Sequence, residues 1–220
     1  MNTLTMFAVR NVRDGLRKLA AVLAFGLPFA LLSQAALAQE ADQFMKSKVD
    51  EVTAAIQADK GILDGDRQKL NQLVDAKIVP FLDFERMTKE AMGQNWSKAT
   101  PDQKKQLTAE FRSLLVRTYS GALAAYRPNT QIRYKPARDL GDGEKLVRSE
   151  VIQSGNEPIG LDYYMAKGDK GWMVYDITVF GARLVENYRS TFKTEIQNNG
   201  VDGLLKSLAT MNKAADSKKS

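Results

Sequence analysis

The stretch Gly171–Phe192, GWMVYDITVFGARLVENYRSTF, decides how this chain folds. Its first half is rich in β-branched and aromatic residues, which favour a strand. Gly181 interrupts that pattern, and apolar residues then recur at Leu184, Tyr188 and Phe192 with the spacing of an amphipathic helix. We therefore expect a strand that leads through one glycine into a helix packed against the sheet. The space between them is either core or a pocket.

Three stretches before this strand also alternate with period two. Strands are predicted at 132–137, 145–154, 159–167 and 173–180, separated by short loops. Such loops join antiparallel neighbours, because a parallel crossover needs about a dozen residues or more. The sequence therefore predicts a four-stranded antiparallel meander with one apolar face. That face is expected to carry Val147, Ser149, Val151, Ile159, Leu161, Tyr163, Met165, Met173, Tyr175, Ile177 and Val179.

Helical periodicity fills the chain before and after the strands. Helices are predicted at 40–60, 66–77, 84–92, 100–126 and 182–198, with a short last helix after a break at Gly200. Thr100, Pro101 and Gln103 are the residues favoured at the start of a helix, and they open the longest one. Helices first and strands afterwards predict the α+β class, a curved sheet packed against a layer of helices.

The N-terminus has the pattern of a secretory signal peptide. Basic residues precede an apolar run at 19–32, and Ala36-Leu37-Ala38 matches a cleavage site of small residues. We predict a cleaved signal peptide at 1–38, one domain at 39–212 and a disordered basic tail at 213–220. The expected product is a soluble exported protein.

Composition narrows the classes of function. The chain has no Cys and no His, which removes thiol nucleophiles, the usual zinc sites and the commonest general base. The formal net charge of +6 falls to +3 without the signal peptide, because residues 1–38 hold four basic residues and one acid. Nucleic acid is therefore a poor partner. We expect a protein that is not an enzyme and that has no cofactor and no metal.

The chain resembles a known family over essentially the whole exported part. The matching pieces are Leu73-Val74, Val79-Pro80-Phe81-Leu82-Asp83-Phe84, Ala91-Met92-Gly93-Gln94-Asn95-Trp96, Thr100-Pro101-Asp102-Gln103 with Phe111 and Leu115, and Trp172-Met173-Val174-Tyr175-Asp176-Ile177 with Gly181, Leu184 and Asn187-Tyr188-Arg189. In that order they resemble MlaC, the toluene-tolerance family of periplasmic phospholipid-binding proteins.

The resemblance implies a periplasmic carrier that holds the acyl chains of a diacyl phospholipid between the curved sheet and the helices. Its implied partners are an inner-membrane ABC transporter complex and an outer-membrane lipoprotein–porin complex, between which lipid is shuttled to maintain outer-membrane lipid asymmetry. The implied fold is nuclear-transport-factor-like, with the lipid pocket between sheet and helices.

The candidate lipid-binding residues are the apolar and aromatic side chains expected between sheet and helices. They are Phe81, Phe84, Leu115, Tyr119, Leu123, Val151, Leu161, Tyr163, Met165, Tyr175, Ile177, Val179, Leu184 and Tyr188. An ordinary core explains the same positions, because apolar stripes on packed elements normally pack. The abundance of Met and Tyr favours a pocket, since Met adapts to irregular ligands and Tyr offers a polar end near a mouth.

Other roles stay open at this point. Phe81 and Phe84 either gate the pocket or staple the start of a helix. A headgroup phosphate could be bound by an arginine, although a solvated face or surface ion pairs are the favoured explanation of these residues; the candidates are Arg112, Arg117, Arg127, Arg133 and Arg148.

Two other classes of function are also compatible with this fold. An isomerase or dehydratase could use Asp162 or Asp176 with Tyr163, although neighbouring strand residues point to opposite faces. A periplasmic adaptor or chaperone would bind protein and no lipid.

Overall fold

In a computed structural model, the backbone is described for residues 28–123 and 126–217, and the side chains for residues 40–123 and 126–214. The chain divides into two compact units, Met1–Glu40 and Ala41–Ser220. The basic and apolar parts of the predicted signal peptide up to residue 27, and the last three residues of the predicted tail, lie outside the described residues. Cleavage after Ala38 stays a prediction.

The helices follow the predicted order. They are α1 (Pro28–Ala58), α2 (Lys60–Leu63), α3 (Arg67–Leu73), α4 (Phe84–Met92), α5 (Pro101–Leu123) and α6 (Leu184–Ser217). A π-helical turn at Val74–Ile78 and 3-10 turns at Val79–Phe81 and Gly93–Lys98 connect the elements around α4. The predicted break at Gly200 is confirmed, since its φ of 71° interrupts α6. α6 continues to Ser217, into the segment for which a disordered tail is predicted, and the disorder of that tail stays a prediction.

Side-chain caps explain where two of these helices begin. Thr100 N–H donates to Gln103 Oε1 over 2.9 Å, and Gln103 N–H donates to Thr100 Oγ1 over 3.2 Å. This reciprocal pair is the capping box that the sequence predicts for α5. Asp83 caps α4 by accepting a hydrogen bond from Arg86 N–H at 2.9 Å. The caps therefore fix the residues at which both helices begin.

The described strands form one antiparallel sheet in sequence order. They are β1 (Gln131–Gly141), β2 (Glu144–Ile152), β3 (Ile159–Gly168), β4 (Gly171–Val179) and β5 (Ala182–Arg183). The meander is confirmed, but the predicted strand count of four is wrong. Phe180 and Gly181 have φ angles of 52° and 78° and form a two-residue turn. Ala182 therefore pairs back with Val179 as a short fifth strand.

The predicted register of the apolar face holds over the inner part of the sheet. Val147 lies opposite Tyr163, which lies opposite Ile177. Leu161 lies opposite Val179 in the same way. Directly opposed residues of an antiparallel pair share a face, so these side chains form one continuous surface.

A β-bulge in β4 ends this alternation. Tyr164 pairs with Asp176, whereas the next residue, Met165, pairs with Val174. Tyr175 is the extra residue, and beyond it the side chains of β4 exchange faces. The prediction that Met173 and Tyr175 share the face of Ile177 is therefore wrong.

The helices supply most of the core. α4, α5 and α6 share one buried cluster, which includes Met87, Leu107, Phe111, Leu115, Val185, Phe192, Leu204 and Leu208. At its centre the Phe111 ring lies 5.0 Å from the rings of both Tyr188 and Phe192, in edge-to-face contact. A second cluster of Val52, Ile56, Ile62 and Leu70 joins α1 to α2 and α3. The side-chain packing in these two clusters joins the helices to one another.

Candidate functional site

An apolar cavity of about 460 Å³ lies between the helices and the apolar face of the sheet. α1 lines it with Met45, Lys48, Val49, Val52, Thr53 and Ile56; the segment before α4 and α4 itself with Val74, Ile78, Phe81, Leu82, Phe84 and Met87; and α5 with Leu115, Val116, Tyr119, Ser120, Ala122 and Leu123. The loop before β1, the sheet and the start of α6 complete the wall with Tyr126, Thr130, Ile132, Val151, Gln153, Ile159, Leu161, Tyr163, Ile177, Val179, Phe180 and Leu184. Phe180 is 76% exposed and therefore lies where the cavity opens to solvent.

Most of the residues predicted for the pocket lie in this wall. Those are Phe81, Phe84, Leu115, Tyr119, Leu123, Val151, Leu161, Tyr163, Ile177, Val179 and Leu184. The ring of Phe81 also contacts Phe44 edge-on, with centroids 6.4 Å apart. Burial raises the pKa of the Tyr163 phenol, so that its hydroxyl is neutral at ordinary pH. Lipid binding and the gating role of Phe81 and Phe84 stay predictions.

The remaining three predicted residues do not line the cavity. Met165 is fully buried and lies opposite Val174 on the neighbouring strand, outside the described wall. Tyr188 belongs to the helical core through its contact with Phe111. Tyr175 lies at the bulge, and its hydroxyl donates to Glu144 Oε2. For Met165 and Tyr188 the period was assigned correctly, but the side chain packs in a neighbouring part of the core. For Tyr175 the predicted face is wrong because of the bulge.

The prediction missed the contribution of α1. Met45, Val49, Val52 and Ile56 form a helical stripe that is readable from the sequence, yet a stripe alone does not distinguish a cavity wall from a core. Among the described residues of the wall, Lys48 carries the one formal charge. The sequence did contain one signal for a cavity wall, because a charged residue, Lys48, lies among the apolar positions of this stripe.

Lys48 takes part in a small charged group beside the cavity. Its Nζ lies 3.1 Å from Glu51 Oε2, and the other carboxylate oxygen, Oε1, contacts Lys77 Nζ at 2.5 Å. Hydrogen bonds from Lys77 and Lys48 lower the pKa of the Glu51 carboxyl, so it stays ionised. The Lys48 ammonium also lies 5.9 Å from the centre of the Phe44 ring.

The five arginines suggested as phosphate partners are not part of the described cavity wall; they are Arg112, Arg117, Arg127, Arg133 and Arg148. Arg112, for example, pairs with Asp75 at 2.7 Å on the outside of α5. Their suggested contact with a headgroup inside this cavity is therefore not supported by the geometry.

A polar network occupies the face of the sheet opposite the cavity. Glu144 accepts hydrogen bonds from Arg86 and Tyr175, and Asp176 accepts one from Arg183 at 2.8 Å. Arg183 lies over the ring of Tyr164, 4.1 Å from its centroid. A shallow depression of about 510 Å³ lies beside Arg86 and Glu144, but its described lining is charged and unsuited to an apolar ligand.

The carboxylates considered for an isomerase do not reach the cavity. Asp162 pairs with Thr178 on the opposite face from Tyr163. Asp176 is buried, and its oxygens accept hydrogen bonds from Arg183 and from the backbone of Val185. Within the described residues, no group of three or more acidic side chains could hold a metal ion. The geometry therefore does not favour acid–base chemistry beside Tyr163.

None of the helices in the described part of the chain combines the length and apolarity of a membrane span. An apolar cavity between a curved antiparallel sheet and a helical layer, with a single ammonium group in its described wall, defines a binding protein for a large apolar ligand.

The chain belongs to the MlaC protein family, whose model matches residues 46–210. A Haemophilus influenzae relative, the intermembrane phospholipid transport system binding protein MlaC, is 26% identical over 195 residues, which cover 86% of this chain and 91% of the relative. The toluene tolerance protein ttg2D of Pseudomonas putida is 25% identical over 196 residues, covering 86% of this chain and 89% of that protein.

A solved structure has the same fold. It is the phospholipid-binding protein from Ralstonia solanacearum in complex with a phospholipid, which is 45% identical to this chain and superposes with a TM-score of 0.74. The match covers 80% of this chain and 98% of that structure. The predicted membership of this family is confirmed.

Proposed function

We propose that this protein is a phospholipid carrier whose cavity shields the acyl chains of the lipid from water. The cavity itself is the main observation: its described wall is apolar on the helical side and on the sheet side. Each methylene left in water costs about 0.8 kcal/mol, so two long acyl chains cost roughly 20 kcal/mol. A carrier removes that cost without any chemical step.

The path of the lipid forms part of the same proposal. Export by the N-terminal signal peptide places the carrier in the periplasm, where it takes lipid from or delivers lipid to an inner-membrane ABC transporter and an outer-membrane lipoprotein–porin complex. The shuttling maintains the lipid asymmetry of the outer membrane. The printed names of the relatives, a phospholipid transport system binding protein and a toluene tolerance protein, support this assignment.

The test is direct identification of the ligand. The full chain is expressed so that its own N-terminal segment directs export, purified without detergent and examined by native mass spectrometry and solvent extraction. We expect a mature N-terminus at Gln39 and a diacyl phospholipid bound in stoichiometric amount. A folded protein that stays empty after incubation with phospholipid vesicles would overturn the carrier assignment and favour the adaptor hypothesis.

A further inference from the structure

We propose that Lys48 binds the headgroup phosphate of the carried lipid and makes the carrier prefer phosphodiester lipids over uncharged lipids with the same acyl chains. This inference rests on the proposed function, and it names the residue that determines specificity at the same site. The proposal is based on the position of the Lys48 side chain, on the charges of its neighbours Glu51 and Lys77, and on the uncharged character of the other described wall residues.

The position of Lys48 places an ammonium group at the edge of an apolar cavity. Lys48 follows Met45 by three residues and precedes Val52 by four, so it belongs to the stripe of α1 that lines the cavity. Its side chain is 34% exposed, and its Nζ reaches Glu51, a residue outside the described wall. The aliphatic stem therefore lies along the wall while the charge stays near solvent.

The linked group of Lys48, Glu51 and Lys77 carries an excess of one positive charge. Glu51 is shared between Lys48 and Lys77, one lysine on each carboxylate oxygen. Two ammonium groups and one carboxylate sum to +1. An ammonium has three donors, and Glu51 occupies one of those of Lys48. A phosphodiester anion beside Lys48 would accept hydrogen bonds from the other two donors, and its negative charge would balance the excess positive charge.

The remaining described wall cannot distinguish headgroups by charge, because its other residues are uncharged. Acyl burial is the same for a phospholipid and for a diacylglycerol with identical chains. Among the described residues of the wall, Lys48 is therefore the one that can distinguish the two lipids by charge. A charge-assisted hydrogen bond supports a preference of about tenfold.

The experiment measures that preference by competition. The purified exported protein is incubated with vesicles containing a known ratio of dioleoyl phosphatidylglycerol and dioleoylglycerol, and native mass spectrometry gives the ratio bound. We expect the protein to favour phosphatidylglycerol by about tenfold over the vesicle ratio. Lys48→Met, which keeps an unbranched apolar stem, should reduce this preference to near one while the total lipid bound is retained.

Two further variants test the direction of the effect. Glu51→Gln removes the competing anion and should increase the preference for phosphatidylglycerol. Lys46→Met removes an exposed lysine from the same helix, outside the described wall, and should leave the preference unchanged. An equal preference in Lys48→Met and in the unchanged protein would overturn the inference while leaving the carrier function intact. Failure of the unchanged protein to bind either lipid would overturn the proposed function instead.

A free anion is the other source of the same chemistry. Millimolar inorganic phosphate at constant ionic strength should not alter the ratio of bound lipids, because a headgroup tethered to buried chains has a high effective concentration. Loss of the preference in phosphate would assign Lys48 to a free ion and overturn the headgroup assignment.

Discussion

The guanidinium group of Arg86 lies over the ring of Tyr175, 3.5 Å from its centroid. Both side chains also donate hydrogen bonds to Glu144, Arg86 to Oε1 and Tyr175 to Oε2. The three residues join α4 to β2 and β4 on the face of the sheet away from the cavity. Burial raises the pKa of the Glu144 carboxyl, but the donors Tyr175 and Arg86 outweigh it, and the net pKa lies below its ordinary value of 4.5.

Glu144→Gln is predicted to destabilise the protein by about 1 kcal/mol at pH 7, because Arg86 loses one of its two charged partners and keeps only Glu90. A carboxyl with a lowered pKa contributes stability that is present above the unfolded value and is lost as pH falls. The difference between the two proteins should therefore be full at pH 7 and shrink below pH 4.5. Urea unfolding at pH 7 and at several values below 4.5 measures it.

Glu157→Gln is the matched control, since Glu157 is an exposed loop residue between β2 and β3. It should change the free energy of unfolding little at any pH. A loss in Glu144→Gln that stays constant down to pH 3 would show that charge is not the cause.

Tryptophan substitutions separate the cavity wall from the core. Ile177 lies in the wall, so Ile177→Trp should fill part of the cavity and lower the amount of bound phospholipid at least severalfold, with little loss of stability. Met165 is fully buried outside the wall, so Met165→Trp should overpack the core and destabilise the fold by about 1–3 kcal/mol. Thermal unfolding and lipid extraction of both variants check the contrast. If Met165→Trp lost the bound lipid and Ile177→Trp kept it, the ligand would have to lie outside this cavity.

That contrast shows how far the sequence could predict the site. Alternation placed Tyr163, Ile177 and Val179 correctly, because side chains on a regular strand have a period of two. The bulge at Tyr175 comes from the pairing of β4 with β3, and a single strand's pattern does not contain it. Residues on the N-terminal side of the bulge were therefore assigned to the wrong face.

The helices were easier to place because their signals are local. The capping box of Thr100 and Gln103 and the break at Gly200 involve residues close in the chain. The role of α1 in the wall depends on contacts with residues far along the chain, such as the hydrogen bond from Gln57 Nε2 to Tyr126 Oη. Local patterns predict that such a helix exists and which face it buries, but they do not predict whether that face meets core or cavity.

Two glycines provide a matched pair for the helical layer. A Cβ at Gly203 would lie 2.2 Å from the Cβ of Asn199, next to the break at Gly200. Gly203→Ala should therefore force a shift in α6 and cost about 1–3 kcal/mol. A Cβ at Gly121 in α5 meets nothing within 4 Å, so Gly121→Ala should stabilise by up to about 1 kcal/mol through helix propensity. Chemical denaturation measures both, and a loss of similar size in the two variants would contradict the steric explanation.

Phe180 occupies the cavity mouth with a backbone conformation that suits other residues better. Its φ is 52°, and its side chain is 76% exposed. A bulky residue in the left-handed region costs about 1 kcal/mol or more, whereas Asn followed by Gly is preferred in this turn. Phe180→Asn should therefore raise the free energy of unfolding by about 1 kcal/mol, because little packing is lost with the exposed ring.

The same substitution should weaken the hold on the ligand, since Phe180 lines the cavity where it opens. We expect Phe180→Asn to release phospholipid to acceptor vesicles severalfold faster than the unchanged protein, despite being more stable. Equilibrium unfolding and a fluorescent lipid-transfer assay measure the two effects separately. A variant that is less stable would show that the ring packs more tightly than its exposure indicates. A side chain on the exit path of the lipid should affect the rate of lipid transfer when it is replaced. A stabilised variant with an unchanged transfer rate would therefore show that Phe180 does not lie on that path.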